Sequence, residues 1–256
     1  MTEGRLNHMP HLGIVAGTAD GAALCYRTLS HEAERLTVGQ AYPEITMHAL
    51  PLEAYLASID AGDWSGVAAL MSRSASVLAQ AGAELIICPN NTLHRAFDHV
   101  VSAVPWLHIA EPVMAEIRRM RLQRVGLLGT PAVMEGRIYH PQLMQAAIEV
   151  VLPEEQERVR LHHIIKTELI QGQYTFASRT YVHEIIGRLA EKGTEAVILG
   201  CTELPLLLAG EQSALPLLDS TRLLAKAALQ RCASAATSRS ALVKTVSAAP
   251  HVSISQ

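Results

Sequence analysis

Gly82-Ala83-Glu84-Leu85-Ile86-Ile87-Cys88-Pro89-Asn90 and Gly193-Thr194-Glu195-Ala196-Val197-Ile198-Leu199-Gly200-Cys201 follow one plan. In each, a Gly-x-Glu triplet leads into a short apolar run, and the second stretch begins 111 residues after the first. A further pair, Gly13-Ile14-Val15-Ala16-Gly17-Thr18 and Gly126-Leu127-Leu128-Gly129-Thr130, matches at its Gly-Thr end at an offset of 112. Two halves that repeat a strand-and-loop plan predict two similar lobes facing each other across a cleft. Superimposing the copies sets Asn90 opposite Cys201, a carboxamide facing a thiol where a symmetric site would carry a matched pair.

Working outward, short apolar runs predict buried strands at Leu12 to Ala16, Glu44 to Leu50, Leu85 to Cys88 and Trp106 to Ala110 in the first half. The second half offers Val125 to Leu128, Arg158 to Ile164, Ala196 to Leu199 and Leu215 to Leu218. Helical spacing marks Trp64 to Ala81, Pro112 to Met120, Tyr139 to Ile148, Thr175 to Lys192 and Ser220 to Cys232. This alternation predicts an α/β fold of two pseudo-symmetric lobes, each a parallel sheet flanked by helices, with the site in the cleft between them. Residues 1–110 with 215–232 make the first lobe and 111–214 the second. The Ser- and Ala-rich stretch 233–256 reads as a disordered tail.

With 49% hydrophobic residues in 256, the chain can bury a substantial core. A net charge of −3 and no Lys/Arg-rich run argue against nucleic acid or an anionic membrane surface and for a small-molecule ligand. No apolar run approaches the roughly 18 residues that cross a bilayer, and the N-terminus lacks a signal pattern, so the reading is cytoplasmic. Cys25, Cys88, Cys201 and Cys232 show no C-x-x-C spacing and read as reduced thiols. The twelve histidines are scattered, and adjacent His162 and His163 point apart, so no metal is expected.

Each candidate motif directly follows a strand, where loops of parallel sheets form ligand crevices. Cys201 lies at a strand-to-helix junction, where backbone N–H groups and a helix dipole can lower a thiol's pKa; the alternative is an inert core cysteine. Cys25, Cys88 and Cys232 read as core. Asn90, Asn91 and Thr92 offer amides and hydroxyls suited to a carboxylate, and equally suited to capping a helix. Gly17-Thr18 and Gly129-Thr130 permit close approach of an anion. His94 reads as a helix-surface residue or one behind the site.

At these residues the chain resembles the cofactor-independent aspartate/glutamate racemase family, over about Leu12 to Leu229. The likeness rests on Val15-Ala16-Gly17-Thr18, Asn90-Asn91-Thr92-Leu93-His94, Val125 to Thr130 with Met134-Glu135 and Tyr139, and Gly200-Cys201-Thr202-Glu203-Leu204. Gly172-Gln173, Ala177-Ser178-Arg179 and Arg188 to Glu191 bring it nearer the bacterial members. The resemblance implies two pseudo-symmetric lobes, a homodimer, no cofactor, and residues at positions 90 and 201 flanking the substrate's α-carbon. Both are usually cysteine, and some members carry threonine at the first. Here Asn90 stands there and does not titrate near neutral pH. The resemblance further implies substrate binding by Gly17, Thr18, Asn91, Thr92, Thr130, Thr202 and Glu203. His48 is the nearest residue for holding a second carboxylate.

Three readings follow. The first is an amino-acid racemase or epimerase acting on Asp, Glu or a related carboxylate, with Cys201 as acid/base. The second is a one-cysteine decarboxylase, isomerase or lyase of the same fold, and Asn90 is its support. The third is a non-catalytic binding protein, against which the intact Gly-Cys-Thr-Glu loop argues.

Overall fold

The computed structural model describes residues 9–36 and 42–247. Its first half runs β1 (Leu12–Ala16), α1 (Ala19–Leu36), β2 (Ile45–Ala49), α2 (Leu52–Asp60), α3 (Trp64–Gln80), β3 (Leu85–Ile87), a 3-10 stretch (Thr92–His99), β4 (Trp106–Leu107) and α4 (Ala110–Met120). The second half runs β5 (Arg124–Leu128), α5 (Pro131–Met134), α6 (His140–Gln145), β6 (Glu149–Val151), α7 (Glu155–Thr167), a 3-10 turn (Leu169–Gln171) and α8 (Phe176–Glu191). It ends with β7 (Ala196–Leu199), α9 (Leu204–Leu207), β8 (Leu217–Asp219) and α10 (Ser220–Ser247). The strands form two parallel sheets of four, ordered β2-β1-β3-β4 and β6-β5-β7-β8, so the two halves share one topology.

The repeated Gly-x-Glu triplet has a physical cause in both halves. Gly82 and Gly193 end α3 and α8 in the left-handed region, at φ +93° and +77°, where a side chain is strained. Glu84 then accepts from the His11 backbone N–H at 3.3 Å, and Glu195 accepts from those of Gln123 and Arg124 at 2.6 and 2.8 Å. Each carboxylate thereby ties the start of β1 or β5 to the neighbouring central strand, β3 or β7. Gly13 and Gly126 are matched too. A Cβ on Gly13 would stand 3.1 Å from the Leu78 side chain, and one on Gly126 would stand 3.0 Å from that of Leu189. The strand can lie this close to its helix only without a side chain.

Side chains alternate along each strand between two cores. Leu12, Ile14, Ile87, Val125, Leu127 and Ile198 face a shared core with α1, α4 and α10. On the outer faces Val15 and Ile86 pack on α3, while Leu128, Val197 and Leu199 pack on α7 and α8. Truncating fully buried Ile14 or Ile198 to Ala would cost roughly 2–5 kcal/mol. The shared core sits behind the cleft and holds the two sheets in one relative position.

Several readings from sequence differ from the fold. Arg158 to Ile164 is part of α7: Glu154 and Glu157 make a capping box, and Leu161, Ile164 and Ile165 fall on one helical face. The true strand there is β6, whose three residues are too short to show a period. The segment from 215 enters the second sheet, since β8 pairs with β7, before α10 returns to pack on α1. The stretch from 233, read as a tail, continues α10 to Ser247, and residues 248–256 lie outside the described ones. Among the described residues no helix is long and apolar enough to cross a membrane.

Candidate active site

The loops after β1, β3, β5 and β7, the two central strands of each sheet, open into one cavity of about 300 Å³. Its lining includes Gly17, Thr18, Asn90, Asn91, Thr92, Thr130, Cys201, Thr202 and Glu203, so every site residue read from the sequence except His48 is brought together. His48 lies elsewhere: β2 is an edge strand, and the His48 Nδ1 sits 3.0 Å from the Ser74 hydroxyl on α3.

Polar contacts join the lobes across the cleft. Thr18 donates its hydroxyl to Glu203 Oε1 and lies 3.4 Å from the Thr202 hydroxyl. Glu203 Oε2 also accepts from the Thr202 hydroxyl at 2.9 Å and from the Cys201 thiol at 3.1 Å. At the other end the Thr92 and Thr130 hydroxyls are 3.0 Å apart. Asn91 is spanned on both sides. Its Oδ1 accepts from Tyr139 OH, and its Nδ2 donates at 2.9 Å to Ser220, whose hydroxyl donates at 2.7 Å to the Leu199 carbonyl. The Asn91 carboxamide is therefore an anchor of the loop.

Asn90 and Cys201 occupy equivalent places in equivalent loops. Asn90 Oδ1 accepts from the Leu93 N–H at 3.2 Å, and its Nδ2 lies against Gly17, which lines the same cavity. A Cβ on Gly17 would stand 2.8 Å from Asn90 Cβ, so the first loop needs glycine to let this carboxamide in. Cys201 is 6% exposed and Glu203 2% exposed.

Burial, and next the Glu203 carboxylate, hold the Cys201 thiol well above its ordinary range, opposite to the lowering anticipated from a helix N-terminus. The reason is local. The helix after Cys201 is only Leu204–Leu207, too short to build a macrodipole that offsets desolvation. Burial likewise pushes Cys88 and Cys232 up to about 12 and raises Cys25, all buried in the core as read from sequence. His94 is also buried. Its Nε2 lies 3.0 Å from the Cys88 carbonyl, and desolvation, then His108, lowers its pKa well below the usual value, so it props the Asn90 loop as a neutral ring.

Sequence reasoning missed the outer wall. Leu52, Tyr55, Leu56 and Ile59 of α2 line the cavity, opposite Ile165 of α7 and Ile170. The i, i+3, i+4, i+7 spacing of the α2 residues was the available signal. The wall also carries Lys166, whose Nζ is 3.3 Å from Asp60, and Arg95, whose guanidinium sits 4.4 Å from the Trp64 ring centroid.

A family model described as Asp/Glu/Hydantoin racemase matches residues 15–228. The broad specificity amino-acid racemase RacX of Bacillus subtilis is 31% identical over 153 residues, which span 58% of this chain and 65% of RacX. The crystal structure of a candidate Asp/Glu racemase from Yersinia pestis is 30% identical, covers 88% of this chain and 99% of its own, and superimposes with a TM-score of 0.77. An aspartate racemase homologue from Pyrococcus horikoshii is 28% identical, with the same coverage and a TM-score of 0.72.

Proposed function

The chain belongs to the Asp/Glu/hydantoin racemase family of isomerases, and from that premise we propose that it moves a proton at the α-carbon of an amino acid or related carboxylate, using Cys201 as acid and base. The observation that carries this reading is the thiol of Cys201, donating to Glu203 Oε2 at 3.1 Å inside the cleft cavity. Aspartate and glutamate are the substrates that the family resemblance brings, and RacX broadens the class to other amino acids.

The chemistry follows from the side chains. The substrate carboxylate lies among the Thr92, Thr130 and Thr202 hydroxyls and the loop N–H groups, which hold the charge that develops when the α C–H bond breaks. Burial keeps the resting thiol protonated, so Glu203 takes that proton as substrate settles. The thiolate then takes the α-proton, and the C–H electron pair passes into an enolate, to which Asn90 Nδ2 donates. Return of the proton from Cys201 restores the starting configuration. Inversion needs an acid on the Asn90 side, and a water hydrogen-bonded to Asn90 is the group that fits there.

The asymmetry favours a second reading, a one-cysteine decarboxylase, isomerase or lyase whose enolate is protonated from the Cys201 face alone. α-Deuteration in deuterated water, followed by NMR with chiral chromatography of the same samples, separates the two. Deuteration with inversion supports the racemase, and deuteration with retained configuration supports one-sided transfer. No exchange for any amino acid sinks the racemase reading and directs the search to malonates, the substrates of a one-sided decarboxylase. A homodimer in the cytoplasm belongs to the same proposal, on the family resemblance, and sedimentation of the purified chain tests the dimer.

A further inference from the structure

Proton transfer between a thiol and a carbon is favoured in a site closed to water, and the connection between α7 and α8 bears on how this one closes. Ile170 in that connection lines the cavity, and Tyr174, four residues on, packs against the apolar group that contains Cys201. The Tyr174 hydroxyl crosses to the first lobe and donates to Asp20 Oδ2 at 2.5 Å. Asp20 stands in the first turn of α1, directly after the Gly17-Thr18 loop.

Two glycines let the lobes meet here. A Cβ on Gly21 would stand 2.5 Å from the Thr202 hydroxyl and 2.8 Å from that of Thr18, so the first turn of α1 lies directly on the loop that carries Cys201. Gly172 turns the α7–α8 connection in the left-handed region at φ +71°, and a Cβ there would stand 3.6 Å from Asp20 Oδ2. Among the described residues the other hydrogen bonds of this connection stay within the second lobe, with Thr175 and Ser178 donating to Glu168. Exposed Lys166 and Asp60 also bridge the lobes, but an exposed pair contributes little. A hydroxyl donating to a half-buried carboxylate is the stronger tie. Burial, and next Asp20, raise the Tyr174 pKa, so this hydroxyl remains the donor. Glu203 and Cys201 add to that rise, which puts the tie within electrostatic reach of the thiol and its carboxylate.

Resting on the proton-transfer reading, we propose that Tyr174 is a positioning residue whose bond to Asp20 latches the α7–α8 connection shut beside Cys201 and Glu203, opening to pass substrate and closing to exclude water. The latch acts through that pair and touches no reacting atom. While it is made, Ile170 completes the cavity wall, and Cys201 and Glu203 stay 6% and 2% exposed. When it opens, the connection keeps its ties to the second lobe alone, and water reaches the thiol.

Alkylation reads the latch without turnover. Iodoacetamide modification of Cys201 in the full chain, followed by mass spectrometry of its peptide, is expected to speed up about tenfold in Tyr174→Phe and in Asp20→Ala, the worth of one hydrogen bond to a charged acceptor. Asp20→Asn removes the same charge as Asp20→Ala but keeps an oxygen that accepts from Tyr174, so it is expected to stay near the unsubstituted rate. Combining Tyr174→Phe with Asp20→Ala should give no further increase. Unchanged alkylation in folded Tyr174→Phe, or equal acceleration in Asp20→Asn and Asp20→Ala, overturns the latch. For any amino acid that exchanges its α-proton, Tyr174→Phe should lower kcat by about tenfold and move KM less. Exchange with kcat and alkylation unaltered in the variants removes the latch and leaves the reaction. Faster alkylation without exchange on any amino acid removes the reaction and leaves the latch.

Discussion

Thr18 and Glu203 join the two lobes, the hydroxyl of one donating to the carboxylate of the other, and their pseudo-symmetric counterparts are Thr130 and Thr92. The same contact is thus built twice, once with a carboxylate and once with two hydroxyls. The side with the carboxylate holds the thiol Cys201, and the side without it holds Asn90. Asn90 is therefore one of two coordinated departures from symmetry: the first half lacks an acid, and it also lacks the carboxylate that would receive the proton of one.

Glu203→Gln is expected to change thiol reactivity and turnover in opposite directions. Removing the negative charge beside Cys201 removes one cause of its raised pKa, so the midpoint of iodoacetamide alkylation moves to lower pH. Loss of the proton acceptor should slow α-exchange by about 10²-fold or more. Alkylation and exchange profiles measured on one preparation check both, and a parallel change in the two would sink the assigned role.

Rebuilding symmetry should restore two-sided chemistry in steps. Asn90→Cys alone supplies a thiol with a hydroxyl neighbour, Thr92, so a small gain in enantiomer interconversion is expected. Adding Thr92→Glu supplies the missing acceptor, and the double variant should invert substrate faster than the single one. Chiral chromatography against time reads this directly, with Cys201→Ala as the inactive reference.

Gly17→Ala probes the close approach of the first loop. The new methyl would press on the Asn90 carboxamide, displacing it from the cavity. A misplacement of about 1 Å at such a site can cost about 10²-fold in rate. Exchange kinetics with unchanged far-ultraviolet circular dichroism would show that positioning, and not folding, was lost.

Acid should weaken the fold through His94. Its folded pKa lies well below the ordinary 6.5, so both states are neutral above that value and no stability depends on pH there. As pH falls below it, the unfolded chain takes up a proton that the buried ring refuses, and about 1.4 kcal/mol is lost per pH unit until the folded pKa is reached. His108, lowered chiefly by burial, acts in the same direction. Thermal unfolding from pH 7.5 to 5 should show a falling midpoint, with a shallower slope for His94→Gln.

Much of the frame was legible in the chain. The Gly-x-Glu triplets marked two real equivalent positions because a left-handed helix end and a strand clamp are local demands that leave few residue choices. The central strands β1, β3, β5 and β7 were legible because they are buried on both faces and read as unbroken apolar runs. Short edge elements were not: β6 offers three residues, and the apolar positions of α7 imitate a strand until its capping box is seen.

By itself, then, the sequence determined the doubled α/β plan and the equivalence of the Asn90 and Cys201 positions, since both follow from local periodicity at strand ends, while the grouping of Thr202 and Glu203 with them came from the family resemblance. Only the tertiary structure decided that His48 turns to Ser74, that burial raises the Cys201 thiol against any dipole, and that the α2 stripe faces a cavity. Those outcomes depend on which surfaces meet across the cleft and how much water they exclude, and residues far apart in the chain set both.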